Sequence, residues 1–111
     1  MLQFKKIKFL TRKQDLRLDK GYAFLYLYNT SNDFLNIKNL FNLENIGLKF
    51  NKIKIYAADI DYFKLYKMLY NIETVPTIIL FYKRKEKKRL TKTLLREDFE
   101  KFFNLEKYDV K

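Results

Sequence analysis

Chemistry in a folded chain needs a nucleophile, a proton carrier or a metal ligand, and this sequence offers few of them. It contains no Cys and no His. Their absence removes thiol redox chemistry, disulfides, zinc sites of the Cys/His kind and every histidine-based triad. What remains is Asp59-Ile60-Asp61, a polar loop from Asn29 to Asp33 that includes Ser31, nine tyrosines, a lone proline in Thr74-Val75-Pro76-Thr77, and two runs of Lys and Arg. The two aspartates could form an acid/base or metal pair. No third ligand lies close in sequence, so a helix cap with a solvated neighbouring acid accounts for them better. The tyrosines could stack on bases, but Tyr22, Tyr26, Tyr66 and Tyr70 fall at strand or helix positions that face a core or its margin. Ser31 has no neighbouring base to activate it. No catalytic residue, cofactor, metal site or small-molecule substrate is expected.

The basic runs carry the rest of the message. The chain of 111 residues has 24 Lys and Arg against 13 Asp and Glu, a formal charge of +11. Residues 1–20 contribute +5 of this and residues 83–92 contribute +6, so the remainder is neutral. Lys5, Lys6 and Lys8 lie in the first cluster, and Lys83, Arg84, Lys85, Lys87, Lys88 and Arg89 in the second. Lysines on an edge strand guard against edge-to-edge aggregation. KRKEKKR exceeds what an edge needs, which points to contact with phosphates or acidic protein.

These residues must be held by a core, and the composition supplies one: 48% of residues are hydrophobic and 33% charged, within one domain's length. A single domain over residues 1–111 is expected, with no repeats or linkers. No apolar run is long enough to cross a bilayer, and Leu2, Phe4, Ile7 and Phe9 read better as a strand than as an import signal. The pattern predicts a strand at Ile7–Leu10, a helix over Arg12–Asp19, and a central strand over the continuous apolar run Tyr22–Tyr28. A helix follows, with Phe34, Ile37, Leu40 and Phe41 at helical spacing and Gly47 as its left-handed stop. Lys52–Ala58 reads as a strand, and Tyr62–Tyr70 as a helix capped by Asp61. Val75–Tyr82 is a further strand, Lys83–Glu86 a charged turn, Lys87–Thr91 a short edge strand, and Arg96–Phe103 a closing helix.

That order, together with DIDYFKLYKMLYNIETVPTIILF, resembles the thioredoxin fold. The similarity is specific from Ile53 to Phe103, about half of the chain, and before that rests on element order. The resemblance implies an α/β thioredoxin-like domain: a central mixed five-stranded sheet, about four flanking helices and a cis peptide bond between Val75 and Pro76 ahead of the fourth strand. An arbitrary X-Pro bond is cis only about 5–6% of the time. It also implies a partner groove at Thr74, Val75, Pro76 and Thr77, where main-chain groups face an extended peptide. Aligned on the central strand, Ser31, Asn32, Asp33 and Phe34 occupy the place of the redox Cys-x-x-Cys pair. Leu25 falls near the family's buried acid, and Arg84 and Lys92 stand where the family has glycines. The chain is thus similar to a degenerate, redox-inactive member.

The expected function is a structural or docking subunit of a large assembly, first of all a ribonucleoprotein such as a ribosome, with protein subunits as partners and RNA on the basic edges. An accessory subunit of a respiratory or other membrane complex is the next reading, and a free-standing peptide-binding chaperone the third. Peripheral membrane contact ranks lower, because the basic hairpin has no helical apolar face to enter a headgroup layer. Lys, Asn, Ile, Phe and Tyr make up about half of the chain, the residues of A/T-rich codons. A mitochondrial or other organellar location is therefore expected, with the cytoplasm as the alternative.

Overall fold

The computed structural model describes residues 4–12, 15–30, 33–91 and 99–108. The run YAFLYLY forms β2 (Tyr22–Tyr28), and its five inner residues are buried. A strand apolar on both faces belongs in the middle of a sheet with helices on both sides. It pairs in parallel with β3 (Lys54–Asp59) and antiparallel with β4 (Thr77–Tyr82). Beyond these lie β1 (Ile7–Phe9), parallel to β3, and β5 (Lys85–Leu90), antiparallel to β4. The order is β1-β3-β2-β4-β5, a mixed five-stranded sheet. Val75-Pro76 is cis. The helices are α1 (Asp33–Lys49), α2 (Lys64–Leu69) and α3 (Phe99–Phe103), followed by a 3-10 turn at Leu105–Lys107.

Alternation along the strands divides the core in two. On one face Phe24, Tyr26, Ile55, Ile78 and Leu80 pack against Leu40, Leu43, Ile46 and Phe50 of α1 and its end, and against Phe103 of α3. On the other, Leu25, Leu27, Tyr56, Ile79 and Phe81 pack against Phe63, Tyr66 and Ile72, in and around α2. Leu25, at the position of the family's buried acid, is fully enclosed.

Several local expectations are corrected. The described residues of Arg12–Asp19 form no α-helix: Asp15 N–H bonds back to Arg12 C=O at 3.1 Å, and Leu16–Leu18 then run irregularly. Three helices are therefore described rather than about four. Gly47 does not end its helix. It lies inside α1, where an added Cβ would stand 2.6 Å from Lys6 Cβ and 3.0 Å from Ile55 Cδ1. Its role is close approach of helix to β1 and β3, not a left-handed turn. Asp61 does not cap α2; Asp59 Oδ1 accepts the Asp61 N–H at 2.9 Å, and the helix begins later, after Phe63. The hairpin turn is narrower than Lys83–Glu86. Lys83 and Arg84 alone form it, both at positive φ (47° and 74°), the conformation that two-residue hairpins need. Arg84 keeps it without glycine because its N–H is held by Leu18 C=O at 2.7 Å, and that of Lys83 by Gly21 C=O at 3.0 Å. The closing helix is described from Phe99; Lys92 and the stretch to Asp98 lie outside the described residues.

The largest correction concerns α1. Phe34, Ile37 and Phe41 face solvent, and only Leu40 of the expected apolar stripe enters the core. The buried face instead includes Asn36, Asn39 and Glu44. Each has a partner inside. Tyr26 Oη donates to Asn36 Oδ1 at 2.8 Å, Asn39 Nδ2 donates to Tyr26 Oη at 3.1 Å, and Glu44 accepts the N–H groups of Lys5 and Lys6 at 3.0 and 2.9 Å. A tyrosine hydroxyl buried in a sheet requires polar neighbours, and that requirement turns the helix.

Candidate functional site

Three loops meet at the C-terminal ends of β2 and β3. One follows β2 at Asn29, one follows β3 at Ile60-Asp61, and one is the proline loop. Together with Lys64 and Lys67 of α2 they line a groove of about 390 Å³, with Ile72, Glu73, Thr74 and Val75 along its other wall. The first loop is tied from beneath: Asn36 Nδ2 donates to Asn29 C=O at 2.6 Å, and Asn36 in turn holds Tyr26. Burial pushes Tyr26 up to about 12, with the Asn39 hydrogen bond opposing that rise. The phenol is therefore neutral at ordinary pH and serves as a strut. Tyr28, at the end of β2, is raised by burial and then by Asp59.

The proline loop is self-braced. Thr77 Oγ1 donates to Thr74 C=O at 2.7 Å, and Thr74 Oγ1 donates to Thr91 C=O at 3.3 Å. Thr74 is exposed, Val75 and Pro76 half-buried and Thr77 buried. The Thr74 carbonyl, expected to meet a partner strand, already accepts one bond. Of the Ser31-Asn32-Asp33-Phe34 segment, Ser31 and Asn32 lie outside the described residues, Asp33 opens α1, and Phe34 is 70% exposed with Lys38 Nζ 4.5 Å above its ring. The groove lining contains carboxylates, lysines and a threonine hydroxyl but neither cysteine nor histidine. Among the described residues no group of three metal-ligating side chains gathers.

Phe34 begins an outward stripe that runs along α1 through Ile37 and Phe41 (45% exposed) to Leu48 (57% exposed). Phe4 extends it sideways, with its ring 5.3 Å from Phe41 and 6.0 Å from Phe9 of the neighbouring edge strand. Exposed Asn45 lies between Phe41 and Leu48 in this row. Lys5 and Lys6, joined to Glu44 through their backbones, sit beside it.

The second basic cluster divides by role. Arg89 is committed to structure: it meets both oxygens of Glu86 at 2.6 and 2.7 Å, and Tyr70 and Asn71 C=O at 2.8 and 3.2 Å. Its guanidinium holds the Glu86 carboxyl below the usual range. Lys88 Nζ likewise donates to Phe102 C=O at 2.6 Å. Lys83, Arg84, Lys85 and Lys87 remain exposed. The charge sum over residues 1–20 treats them as one basic cluster. The structure splits them: Lys5, Lys6 and Lys8 stay at the β1 edge, whereas the segment carrying Arg17 and Lys20 is bonded to the β4–β5 turn through Leu18 and Gly21. That segment also carries Asp15 and Asp19, so it brings cations to the turn without adding net charge. The Tyr26–Asn36–Asn39 network was also hidden, although two asparagines three apart in an apolar helix are a usable signal for it.

Among solved structures, a mutant thioredoxin from Halobacterium salinarum superposes with a TM-score of 0.76 at 13% identity, covering 96% of this chain and 92% of that one. Thioredoxin O2 from Arabidopsis thaliana in its oxidized state gives 0.72 at 14% identity, covering 96% of both chains. The germline-specific thioredoxin Deadhead from Drosophila gives 0.65 at 16%, covering 81% and 82%. The fold is thioredoxin-like, and no cysteine is present to perform dithiol exchange. No family model matches the sequence, and no curated protein matches it.

Proposed function

We propose that this chain is a non-catalytic docking subunit of a large assembly, held to protein neighbours by α1 and to a polyanion, in the first place RNA, by the β4–β5 turn. The outward stripe on α1 carries this reading, because a helix that exposes Phe34, Ile37, Phe41 and Leu48 has an unfilled face of the kind that interfaces cover. The basic turn supports the second contact, with Lys83, Arg84, Lys85 and Lys87 exposed there. Loss of sulfur from a thioredoxin-like frame leaves shape and charge as what it can offer.

Sedimentation of a native lysate through a density gradient tests the proposal. The chain should travel with a large particle and shift to lighter fractions after ribonuclease treatment. Migration as a free monomer in the untreated lysate would refute it. Affinity for RNA should fall on the order of a hundredfold between 50 and 200 mM salt if four to five cations meet phosphates. An organellar particle such as a mitochondrial ribosome is the assembly we favour, on the A/T-rich composition of the chain.

A further inference from the structure

Register divides the β4–β5 hairpin into two faces of different character. Phe81 pairs with Glu86 and Ile79 with Arg89 on the α2 side of the sheet, whereas Tyr82 pairs with Lys85 and Leu80 with Lys88 on the side of α1 and α3. On the α2 side the charges are engaged. Arg89 holds Glu86 together with the carbonyls of Tyr70 and Asn71. On the α3 side the cations alternate with rings. Tyr22, cross-strand from Tyr82, packs against Tyr82 and Tyr108 with ring centroids 4.5 Å apart in each pair. Lys83 Nζ stands 5.3 Å from the centre of the Tyr82 ring, and Lys88 Nζ 4.4 Å from that of Phe102.

Tyr26 and Tyr66 are buried, as their strand and helix positions predict, but Tyr22, Tyr82, Phe102 and Tyr108 are only half-buried. Lys20 and Lys107, close to this row in sequence, are exposed, as are Lys83 and Lys85. The acids of α3 and of the turn after it, Glu100 and Glu106, are engaged by Lys49 at 2.7 and 3.7 Å. This face therefore offers positive charge and flat rings side by side. Unpaired nucleic acid uses both, since its bases stack on aromatic rings while a cationic surface follows its phosphates. A duplex hides its base faces within its own stack, and an acidic peptide would use the cations alone.

We infer, resting on the RNA contact proposed for this turn, that the RNA is single-stranded and lays a base on Tyr82, with Lys83 and Lys85 on the neighbouring phosphates. Lys83 now covers that ring, and the cover is of a kind that yields. An ammonium over an exposed ring is held weakly. Moved to a phosphate, the same lysine gains a charged partner and frees the ring face for the base.

The probe is a twelve-nucleotide oligoadenylate, compared with the duplex it forms with oligouridylate of equal length, each titrated into the full chain between 50 and 200 mM salt. Tyr82→Leu removes the ring and keeps an apolar side chain. It should weaken the single strand about tenfold, with its salt slope and the duplex affinity unchanged. Tyr82→Phe keeps the ring and should bind within about twofold of the natural chain. Lys85→Gln should instead flatten the single-strand salt slope by about 0.7. A further measurement needs no substitution: on binding, base stacking should move the Tyr82 ring-proton signals upfield and leave those of buried Tyr26 in place. Equal losses in Tyr82→Leu and Tyr82→Phe, a parallel loss of duplex affinity, or an unmoved Tyr82 ring while RNA binds would overturn the stacking site and leave the RNA contact standing. Absence of salt-dependent binding to either form would overturn both.

Discussion

At the scale of single residues, the structure depends on polar groups that an apolar reading passes over. Tyr26 is the clearest case. Its hydroxyl is the hub between Asn36 and Asn39, and through Asn36 it anchors the loop at Asn29. Tyr26→Phe keeps the ring but leaves both amides short of a partner, and should cost about 1–3 kcal/mol in urea unfolding. The same residue sets a pH limit. A phenol raised to about 12 in the folded state, against about 10 when unfolded, holds its proton longer when folded. Its contribution is fully present below pH 10 and is lost as pH rises toward 12. Tyr66, also raised to about 12, acts in the same window and the same direction. Stability measured from pH 9 to 12 should therefore fall steeply in the natural protein and less steeply in either Tyr→Phe variant. An equal slope in all three would remove these phenols from the account.

At the scale of elements, β1 is the weakest strand and the one that needs help. It has three residues and a single neighbour, β3, in the sheet. Glu44 supplies the help by accepting two consecutive backbone N–H groups just before it, while Gly47 allows α1 to lie against Lys6 and Ile55. Gly47→Ala therefore weighs a gain of up to about 1 kcal/mol in helix propensity against a methyl group placed 2.6 Å from Lys6 Cβ. That carbon belongs to a residue whose backbone is pinned by Glu44, so it cannot move aside cheaply. The variant should be destabilised by about 1–3 kcal/mol despite its better helix former. Amide exchange in Ile7–Phe9 should quicken before exchange in β2. The same pair shows what was legible beforehand. The long apolar run of β2, the order of elements and the proline turn follow from strong local patterns, so the fold was readable. The position of α1 about its own axis was not, because its apolar residues cover both sides and the deciding groups, Tyr26 and Glu44, act through long-range partners. Gly47 departs from expectation for a related reason: a glycine signals close approach as well as a helix end, and only packing separates the two. The cis proline loop and the basic β4–β5 hairpin follow from the sequence, whereas the outward stripe on α1 depends on how that helix is turned and does not.

At the scale of the molecule, the sheet separates two surfaces that the proposed function uses differently. α1 covers one face near β1 and β3, whereas the basic turn projects beyond β4 and β5 on the opposite side of the sheet order. The exposed lysines of the turn lie outside the core, so substitutions there should change folding stability by no more than about 0.5 kcal/mol, whereas loss of Phe41, half-buried against Phe4, should cost about 1–2 kcal/mol and still leave the chain folded. A pair of variants then tests whether the two contacts are distinct. Phe34→Ser with Phe41→Ser should remove the protein-facing contact and reduce incorporation into the assembly, with RNA affinity and its salt dependence unchanged. Lys85→Glu with Lys87→Glu should weaken RNA binding and flatten the salt slope by roughly two phosphate contacts, leaving binding to protein neighbours intact. Sites without shared partners contribute additively, so the quadruple variant should lose the sum of the two effects on a free-energy scale. A loss well short of that sum would mean that one partner spans both surfaces, and the basic turn would then belong to the same protein interface as α1. A stripe variant that assembles normally would move the docking face elsewhere, and the outward rings would then follow from the inward turn of Asn36, Asn39 and Glu44 alone.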